Sequence, residues 1–298
     1  MKLEQPINIL VRRRAAIGDT IMSTGVIREL TKRYNSCNID VATEFIEVYR
    51  NNPHIRNIYL ANAMPDVSEY DVYINLDDAY ELNPTQHYVD SMFYRAFGDH
   101  FRTLDQRVEL FPSDEDVSQV NSDIEQIGDK FIVVHMRQWH WASKNISLDI
   151  WFDVFAQLFG HRTDFKIVCV GGETDFAVDG HPLIVDARSR YNSQQIKYLC
   201  DHARAFVGID SGPFQCAAAS DTHIVALLTH LRPECILPYR KHEMGYNCTA
   251  IQTSEDCAGC NDDQVRPVRQ LVCKKQTFPC ANNFNSDRIV QTILGQLQ

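Results

Sequence analysis

The sequence lacks several features that would assign it to a familiar class. It has no run of roughly 18 apolar residues, which excludes an ordinary membrane-spanning helix. Its first residues lack the pattern of a secretory signal, so we expect a cytoplasmic protein. Neither G-x-G-x-x-G nor a Walker A sequence is present, which argues against a dinucleotide fingerprint and against P-loop chemistry.

Positive charge is also in short supply. The 298 residues include 29 Lys and Arg against 39 Asp and Glu, which gives a net charge of −10. Because proteins that neutralise many phosphates usually present a basic face, this balance argues against nucleic acid as the main partner. The hydrophobic share of 44% is that of an ordinary globular protein. The length suits two domains at roughly 100–200 residues each.

Short apolar segments alternate with helical periodicity in both halves of the chain. This alternation predicts parallel sheets with crossover helices. A polar stretch at 112–129 separates the two units, so we predict an α/β fold with domains at 1–125 and 126–298. The predicted strands are 7–11, 38–42, 57–60, 71–76, 131–135, 166–170, 183–185, 205–209 and 223–228. The predicted helices cover 21–30, 44–51, 147–158, 193–203 and 213–219.

The segment Gly208–Gln215 joins a predicted strand to a predicted helix. Ligands of such sheets bind beyond the carboxyl ends of the strands, and the N-terminus of a following helix favours an anion. Gly212 would let the backbone approach a diphosphate closely. The alternative is an ordinary turn in which Asp210 or Ser211 caps the helix.

Two further strand ends carry acidic residues. Gly171-Gly172-Glu173-Thr174-Asp175 follows a long predicted strand, and its carboxylates are candidates for holding ribose hydroxyls, with a solvated loop as the alternative. Ile17-Gly18-Asp19-Thr20 opens the first helix. Asp19 can be its N-cap, and it can also be a base that takes the proton of an acceptor hydroxyl during sugar transfer.

The segment 135–144 contains two tryptophans and two histidines within seven residues. This composition favours a binding loop over a surface loop whose tryptophans pack on the sheet. Arg137 and Lys144 would offer positive charge to a departing diphosphate, which is a usual way to stabilise a leaving group.

Five segments in order resemble motifs of glycosyltransferase family 9, the ADP-heptose:lipopolysaccharide heptosyltransferases and their relatives. They are 9–30, Asn52-Pro53-His54-Ile55, Tyr70–Leu76, Gly171–Asp175 and Asp210–Ala219. In the last segment Gln215 stands where the family usually has histidine. Together the five segments span most of the chain.

This resemblance implies a GT-B fold, in which two Rossmann-like domains face a central cleft. It implies an inverting transfer from a nucleotide-diphosphate sugar, with no cofactor required for catalysis and no essential metal at the donor phosphates. It also implies that Asp19 is the base, that Lys144 and the Asp210–Gly212 turn contact the diphosphate, and that Asp175 or Glu173 lies on the nucleotide side. The remaining candidates for the donor site are Gly18, Arg137, Gly171, Gly172, Ser211 and Gln215.

Four of the ten cysteines cluster in the tail segment 257–280. We expect reduced thiols, since no secretory signal is seen. The spacing Cys257-x2-Cys260-x12-Cys273-x6-Cys280 is compatible with one structural zinc ion, with buried or labile thiols, or with disulfides.

We expect an enzyme that transfers a hexose or heptose to a glycan or glycolipid, as in lipopolysaccharide biosynthesis, with peripheral association at the cytoplasmic side of a membrane. Two alternatives stay open. One is a glycosyltransferase that acts on a modified nucleic-acid base, which the net charge disfavours. The other is a non-catalytic protein that binds a nucleotide sugar, or zinc through its cysteines.

Overall fold

The first half of the protein contains a parallel sheet. The structure is a computed structural model that describes residues 5–139, 141–176, 178, 180–260 and 273–298. The strands of the first sheet are β1 (Ile7–Arg12), β2 (Cys37–Thr43), β3 (Asn57–Leu60) and β4 (Val72–Asn75). They lie in the order β3-β2-β1-β4, and every neighbouring pair is parallel.

Five helices belong to this half or follow it. They are α1 (Ile17–Met22), α2 (Thr24–Arg33), α3 (Ile46–Tyr49), α4 (Tyr88–Phe97) and α5 (Asp114–Ile127). The single helix predicted at 21–30 is divided at Ser23, whose hydroxyl bonds the Thr20 carbonyl at 2.7 Å and the Tyr49 hydroxyl at 2.6 Å. Such back-bonding by a serine competes with the helical hydrogen bonds and bends helices. Short 3₁₀ turns occur at Val67–Glu69 and Gly98–Thr103.

The second half contains a larger parallel sheet and a small hairpin. Its strands are β5 (Phe131–His135), β6 (Lys166–Cys169), β7 (Ile184–Asp186), β8 (Ala205–Gly208), β9 (His223–Leu228), β10 (Tyr239–Arg240), β11 (Glu243–Met244) and β12 (Cys248–Gln252). The sheet order is β12-β9-β8-β5-β6-β7, while β10 and β11 form an antiparallel pair. The helices are α6 (Leu148–His161), α7 (Ser193–His202), α8 (Gly212–Ala218), α9 (Pro233–Ile236) and α10 (Ser286–Gln296), with 3₁₀ turns at Ala142–Lys144 and Pro279–Ala281.

The continuous apolar runs of the strands are explained by helices on both faces of the sheet. Side chains of β5 alternate between two clusters, as the period of two in a strand requires. Ile132 and Val134 pack in the cluster that contains Trp151 of α6, whereas Phe131 and Val133 pack in the cluster that contains Leu199 of α7. Each of the nine predicted strands is present, with bounds within one residue of the prediction. The helices and strands that were not predicted are α4, α5, α9, α10, β10, β11 and β12.

One apolar cluster extends across both halves of the chain. Polar contacts also join them, since the amide of Gln194 donates to the carbonyls of Glu47 and Val48 at 3.1 and 3.0 Å. The domain boundary predicted at 125/126 falls inside α5, which packs against α7. None of the helices in the described part of the chain is long and apolar enough to cross a membrane.

His87 provides a second polar link between the halves. It is 5% exposed, its Nε2 lies 2.8 Å from the carbonyl of Leu237, and its Nδ1 accepts the N–H of Val89. This pairing requires the neutral ring with its hydrogen on Nε2. Burial accordingly lowers the pKa of His87 from 6.5 to about 4, although the bond to Leu237 opposes the shift.

We predict that His87 makes stability depend on pH below neutrality. Because its pKa is lower in the folded protein, the unfolded chain binds a proton between pH 6.5 and 4 that the folded protein excludes. The contribution of His87 to the free energy of unfolding is therefore complete above pH 6.5. It decreases as the pH falls, and the loss reaches about 3 kcal/mol at pH 4. Urea unfolding at pH 4 to 7 should show a weaker pH dependence for His87→Gln than for the wild type. His100→Gln, at an exposed histidine, should retain the wild-type dependence. Equal dependence in all three proteins would contradict this account.

Candidate active site between two helix N-termini

The N-terminus of α1 in the first half lies against the N-terminus of α8 in the second. A Cβ atom added to Gly18 would lie 3.3 Å from Cγ of Gln215 and 3.5 Å from the carbonyl oxygen of Ser211. A Cβ atom added to Gly212 would lie only 2.7 Å from Cγ2 of Ile17. The absence of side chains at both glycines thus permits this approach, which unites predicted site residues from the two halves.

Asp19 lies at the third position of α1. Its carboxylate is hydrogen-bonded by the guanidinium of Arg13, by the backbone N–H of Ala16 at 3.0 Å and by the hydroxyl of Tyr80 at 3.1 Å. The interpretation of Asp19 as the N-cap was wrong, because Ala16 occupies that position. Asp19 lies in the first turn, and its carboxylate accepts the backbone N–H of the N-cap residue. The side chain of Asp19 remains 15% exposed.

Arg13 is the buried cation of this group. Its side chain is 1% exposed, donates to the carbonyl of Leu76 at 2.7 Å and lies 3.6 Å from Glu81. Burial lowers the pKa of Arg13, but the charge and hydrogen bond of Asp19 and the charge of Glu81 are among the contributions that together raise it, so Arg13 stays charged. Burial also raises the pKa of Glu81, and Arg13 only partly offsets that effect. Sequence reasoning missed Arg13, Tyr80 and Glu81 as members of the site; three consecutive arginines directly after a buried strand were the one available signal.

The turn before α8 holds a buried ion pair. Nζ of Lys144 lies 2.6 Å from Oδ2 of Asp210, and Asp210 is 8% exposed. Burial raises the pKa of Asp210, but the charge and hydrogen bond of Lys144 and the charge of Arg137 are among the contributions that together lower it below its usual value, so Asp210 is ionised. The amide of Gln215 lies 3.5 Å from Oδ1 of Asp210, and Lys144 also lies over the ring of Trp141. The structure therefore brings Lys144, Asp210 and Gln215 together, as predicted from the sequence.

Asp175 faces inward and Glu173 faces solvent. The carboxylate of Asp175 accepts hydrogen bonds from the backbone N–H groups of Gln138 and Gly172 at 2.8 and 2.7 Å, and it lies 3.0 Å from Nε2 of His135. Gly171 has φ +140°, and a Cβ there would lie 2.4 Å from Asp175. Asp175 thus orders the loops around it, while Glu173 is the exposed carboxylate of the same loop.

His135 links this loop to the α8 turn. Its Nδ1 lies 2.9 Å from Oγ of Ser211, which also accepts the N–H of Phe214 as the N-cap of α8. Sequence reasoning used the segment that begins at His135 but assigned no role to its ring. The position at the end of a buried strand was the available signal.

Arg137 supplies a second cation next to these groups. It is partly buried, and its guanidinium lies 5.3 Å from the centre of the Trp139 ring. Its Nε atom is buried and has no hydrogen-bond partner among the residues that the structure describes. Burial lowers the pKa of Arg137, and the charges of Asp210 and Asp175 oppose this. A buried N–H of a charged guanidinium without a hydrogen-bond partner would be stabilised by an anion that accepts a hydrogen bond from it.

Cys280, one of the four clustered cysteines, lies in a 3₁₀ turn that packs against the Lys144 turn. Pro279–Ala281 packs on Ala142–Lys144, and the N–H of Ser147 bonds the carbonyl of Ala281 at 3.0 Å. Burial raises the pKa of Cys280, and charge on Cys260, Cys257 and Cys273 raises it further, so the four thiols are electrostatically coupled.

Another group of potential metal ligands lies beside these thiols. Within the described part of the chain, a group of three or more with ligand atoms all within 4.8 Å occurs at Glu255, Asp256 and Cys257. Nζ of Lys275 already neutralises this group, since it lies 2.8 Å from Glu255 and 2.5 Å from Asp256. The four cysteine sulfurs do not meet that criterion, whereas sulfurs around one tetrahedral zinc ion would lie about 3.8 Å apart.

This architecture of two parallel-sheet α/β domains is the GT-B fold. A glycosyl transferase family 9 structure from Veillonella parvula covers 100% of this chain and 98% of its own, with a TM-score of 0.75 at 15% identity. The ADP-heptose lipopolysaccharide heptosyltransferase II of E. coli covers 98% of both chains, with a TM-score of 0.67 at 14% identity. A third similar structure is the dodecameric iron-containing heptosyltransferase TibC from enterotoxigenic E. coli, in complex with ADP-D-β-D-heptose. It has a TM-score of 0.69 at 15% identity, and the match covers 100% of this chain and 78% of TibC. The predicted fold of two facing α/β domains is confirmed.

A family profile matches part of the second half. Residues 183–264, which run from the start of β7 past Cys260, match the glycosyltransferase family 9 (heptosyltransferase) profile. This match confirms the resemblance to glycosyltransferase family 9 and the prediction that the chain is a glycosyltransferase. No curated protein sequence matches the chain significantly.

We predict that the contact between α1 and α8 tolerates no side chain at position 212. Gly212→Ala should lower the free energy of unfolding by about 1–3 kcal/mol, because the added methyl group would overlap Ile17. Urea unfolding measures this change. The matched control is Gly160→Ala in α6, where the new methyl group meets nothing within 4 Å and should stabilise the helix by about 1 kcal/mol. A Gly212→Ala protein as stable as the wild type would show that the two helices are not pressed together.

Proposed function

We propose that the protein is an inverting glycosyltransferase that moves a sugar from a nucleotide-diphosphate donor to a glycan or glycolipid. The observation that supports this proposal is the contact between α1, which contains Asp19, and α8, which follows the turn of Asp210 that pairs with Lys144. An inverting transfer needs a proton acceptor on one side of the anomeric carbon and charge stabilisation for the leaving group on the other.

The donor is proposed to be an ADP-linked sugar, with ADP-heptose as the first candidate. Its support is the likeness to family 9 and to TibC with bound ADP-D-β-D-heptose. Lys144 and the buried guanidinium of Arg137 would hold the diphosphate, since both are cations beside the α8 turn. Because every bond of the Asp175 carboxylate described above points into the protein, we assign the contact with ribose hydroxyls to Glu173, with Gly171 and Gly172 shaping that loop.

Asp19 is the proposed base. Arg13, Ala16 and Tyr80 together donate three hydrogen bonds to its carboxylate, which fixes its orientation and leaves acceptor capacity on Oδ1. A carboxylate held in this way removes the proton of the acceptor hydroxyl only as the new glycosidic bond forms, when that hydroxyl becomes strongly acidic. No metal is required at the donor phosphates in this scheme, because Lys144 and Arg137 supply the positive charge.

The acceptor is proposed to be a glycan or glycolipid at the cytoplasmic face of a membrane, within lipopolysaccharide biosynthesis. The similar heptosyltransferase II is described as acting on lipopolysaccharide, and this is the support for the assignment. Peripheral association would bring the protein to such an acceptor.

We predict that Asp19→Asn separates transfer from donor binding. Release of ADP from ADP-D-β-D-heptose, measured with lipopolysaccharide truncated before its heptoses, should fall at least ~100-fold, the usual loss when a general base is removed. The thermal shift caused by ADP-D-β-D-heptose should stay nearly unchanged, and it should exceed the shifts caused by UDP-glucose and GDP-mannose.

Two variants calibrate this experiment. Lys144→Ala should lower both the thermal shift and transfer, because it removes a cation that is proposed to hold the diphosphate. Asp77→Asn should retain transfer, because Asp77 pairs with Arg12 and with the backbone of Arg14 outside the junction. Wild-type transfer by Asp19→Asn would remove Asp19 from the mechanism, and a protein that no nucleotide sugar stabilises would overturn the proposal.

We also propose that Cys257, Cys260, Cys273 and Cys280 hold one structural metal ion. Four thiolates suit zinc or iron. The spacing Cys257-x2-Cys260-x12-Cys273-x6-Cys280 supports the site, and Cys280 lies in a 3₁₀ turn that packs on the Lys144 turn. The ion would stabilise the 3₁₀ turn Pro279–Ala281, which packs against the 3₁₀ turn that contains Lys144.

We predict one zinc or iron ion per chain by elemental analysis. Cys280→Ser should lose the ion and unfold at a lower temperature. Cys37→Ser, at a half-buried cysteine on β2, should keep the ion. Metal-free protein that zinc does not stabilise would contradict the site.

A further inference from the structure

Three side chains form a buried hydrogen-bonded chain behind the α8 turn. Oγ of Ser211 lies 2.9 Å from Nδ1 of His135, and Nε2 of His135 lies 3.0 Å from Asp175. Ser211 is 5% exposed and His135 is 2% exposed, so water does not replace these bonds. The chain leads from the proposed diphosphate site into the protein.

The direction of each hydrogen bond between Ser211, His135 and Asp175 can be assigned, starting from the carboxylate of Asp175. Burial raises the pKa of Asp175, but the hydrogen bonds from His135, Gln138 and Gly172 outweigh it and lower the pKa, so Asp175 is a carboxylate. Nε2 of His135 must therefore carry a hydrogen. Burial lowers the pKa of His135, which makes its ring neutral at pH 7. Nδ1 is then an acceptor, and the hydroxyl of Ser211 donates to it.

An anion at the turn would disturb this arrangement. A diphosphate oxygen carries no hydrogen, so the hydroxyl of Ser211 can bond to it only by donating. That single hydrogen is then lost to Nδ1 of His135, and a buried acceptor without a partner is costly. A protonated imidazole removes the cost, because its Nδ1–H donates to Oγ of Ser211 while Nε2–H keeps its bond to Asp175.

The charges around His135 favour the same outcome. Asp175 faces it from the loop after β6, and Arg137 follows it on the same strand end; the Lys144–Asp210 pair stands next to Ser211. The charge of Arg137 opposes protonation of His135, and that of Asp175 favours it. A diphosphate that pairs with Arg137 would cancel the opposing charge and add negative charge nearby.

We propose that binding of the donor diphosphate is coupled to the uptake of one proton by His135. This inference rests on the proposed function, since it takes the α8 turn as the diphosphate site. The proton comes from solvent and adds to Nδ1; no covalent bond breaks. Affinity for the donor then falls as the pH rises. The fall is at most tenfold per pH unit, and it occurs between two pH values, the pKa of His135 in the free protein and its higher pKa in the complex.

Calorimetry of ADP-D-β-D-heptose binding tests the coupling directly. This probe has a diphosphate diester with no proton that titrates near neutral pH, so any proton exchanged belongs to the protein. At pH 7 the binding enthalpy should differ between PIPES and imidazole buffers by an amount that corresponds to uptake of up to one proton per donor. Equal enthalpies in the two buffers, with the same affinity at pH 6 and pH 8, would overturn the inference.

A variant assigns the proton to His135. His135→Gln keeps a neutral hydrogen-bonding side chain but cannot be protonated, so it should bind with equal enthalpy in both buffers and with little pH dependence. His161→Gln, at an exposed histidine of α6, should behave as the wild type. Uptake that persists in His135→Gln would refute the assignment. If His135→Gln does not fold, the ring nitrogen chemical shifts of wild-type His135 decide instead, since binding must convert Nδ1 from acceptor to donor.

Failure of the proposed function has a different signature. In that case the wild type gives no binding heat and no thermal stabilisation with ADP-D-β-D-heptose, and both the function and the coupling are rejected. Binding without proton exchange rejects the coupling alone.

Discussion

The close approach of two helix N-termini is the constraint on which the candidate site depends. Gly212 lies where a side chain would overlap Ile17 of α1, since a Cβ there would lie 2.7 Å from Cγ2 of Ile17, and Gly18 lies close to Gln215 of α8. Asp19 belongs to the first half and the Lys144–Asp210 pair to the second, so neither half alone contains the arrangement. The two partial positive charges of the helix N-termini also meet there, and nearby carboxylates offset them.

Burial of charge accounts for much of the local order. Arg13 and Asp210 are buried and Asp175 is half-buried, and each is held by hydrogen bonds and opposite charge, because an uncompensated buried charge would be strongly destabilising. This cost selects one geometry for each side chain. A rigid base and a rigid cationic turn then need little reorganisation when a substrate binds, which is how preorganised sites lower barriers.

The sequence predicted the strands well because both faces of each sheet are covered, so every central strand reads as an apolar run. The helical spacing of Ile289, Val290 and Ile293 also indicates a helix with one buried face, but α10 was not predicted from it. The site was predicted where it lies in the loop or first helical turn that follows a strand, as at Asp19, Lys144 and Asp210. Tyr80 lies 61 positions from Asp19, and only the folded chain brings them together. The inward orientation of Asp175 likewise depends on His135, 40 positions away.

The bonds that join the halves have an evolutionary consequence. Gln194 and His87 both reach main-chain oxygens, those of Glu47, Val48 and Leu237. A main-chain oxygen is present whatever residue occupies the position. Selection on this junction should therefore fall on the two donors, while the receiving positions remain free to drift without weakening the attachment.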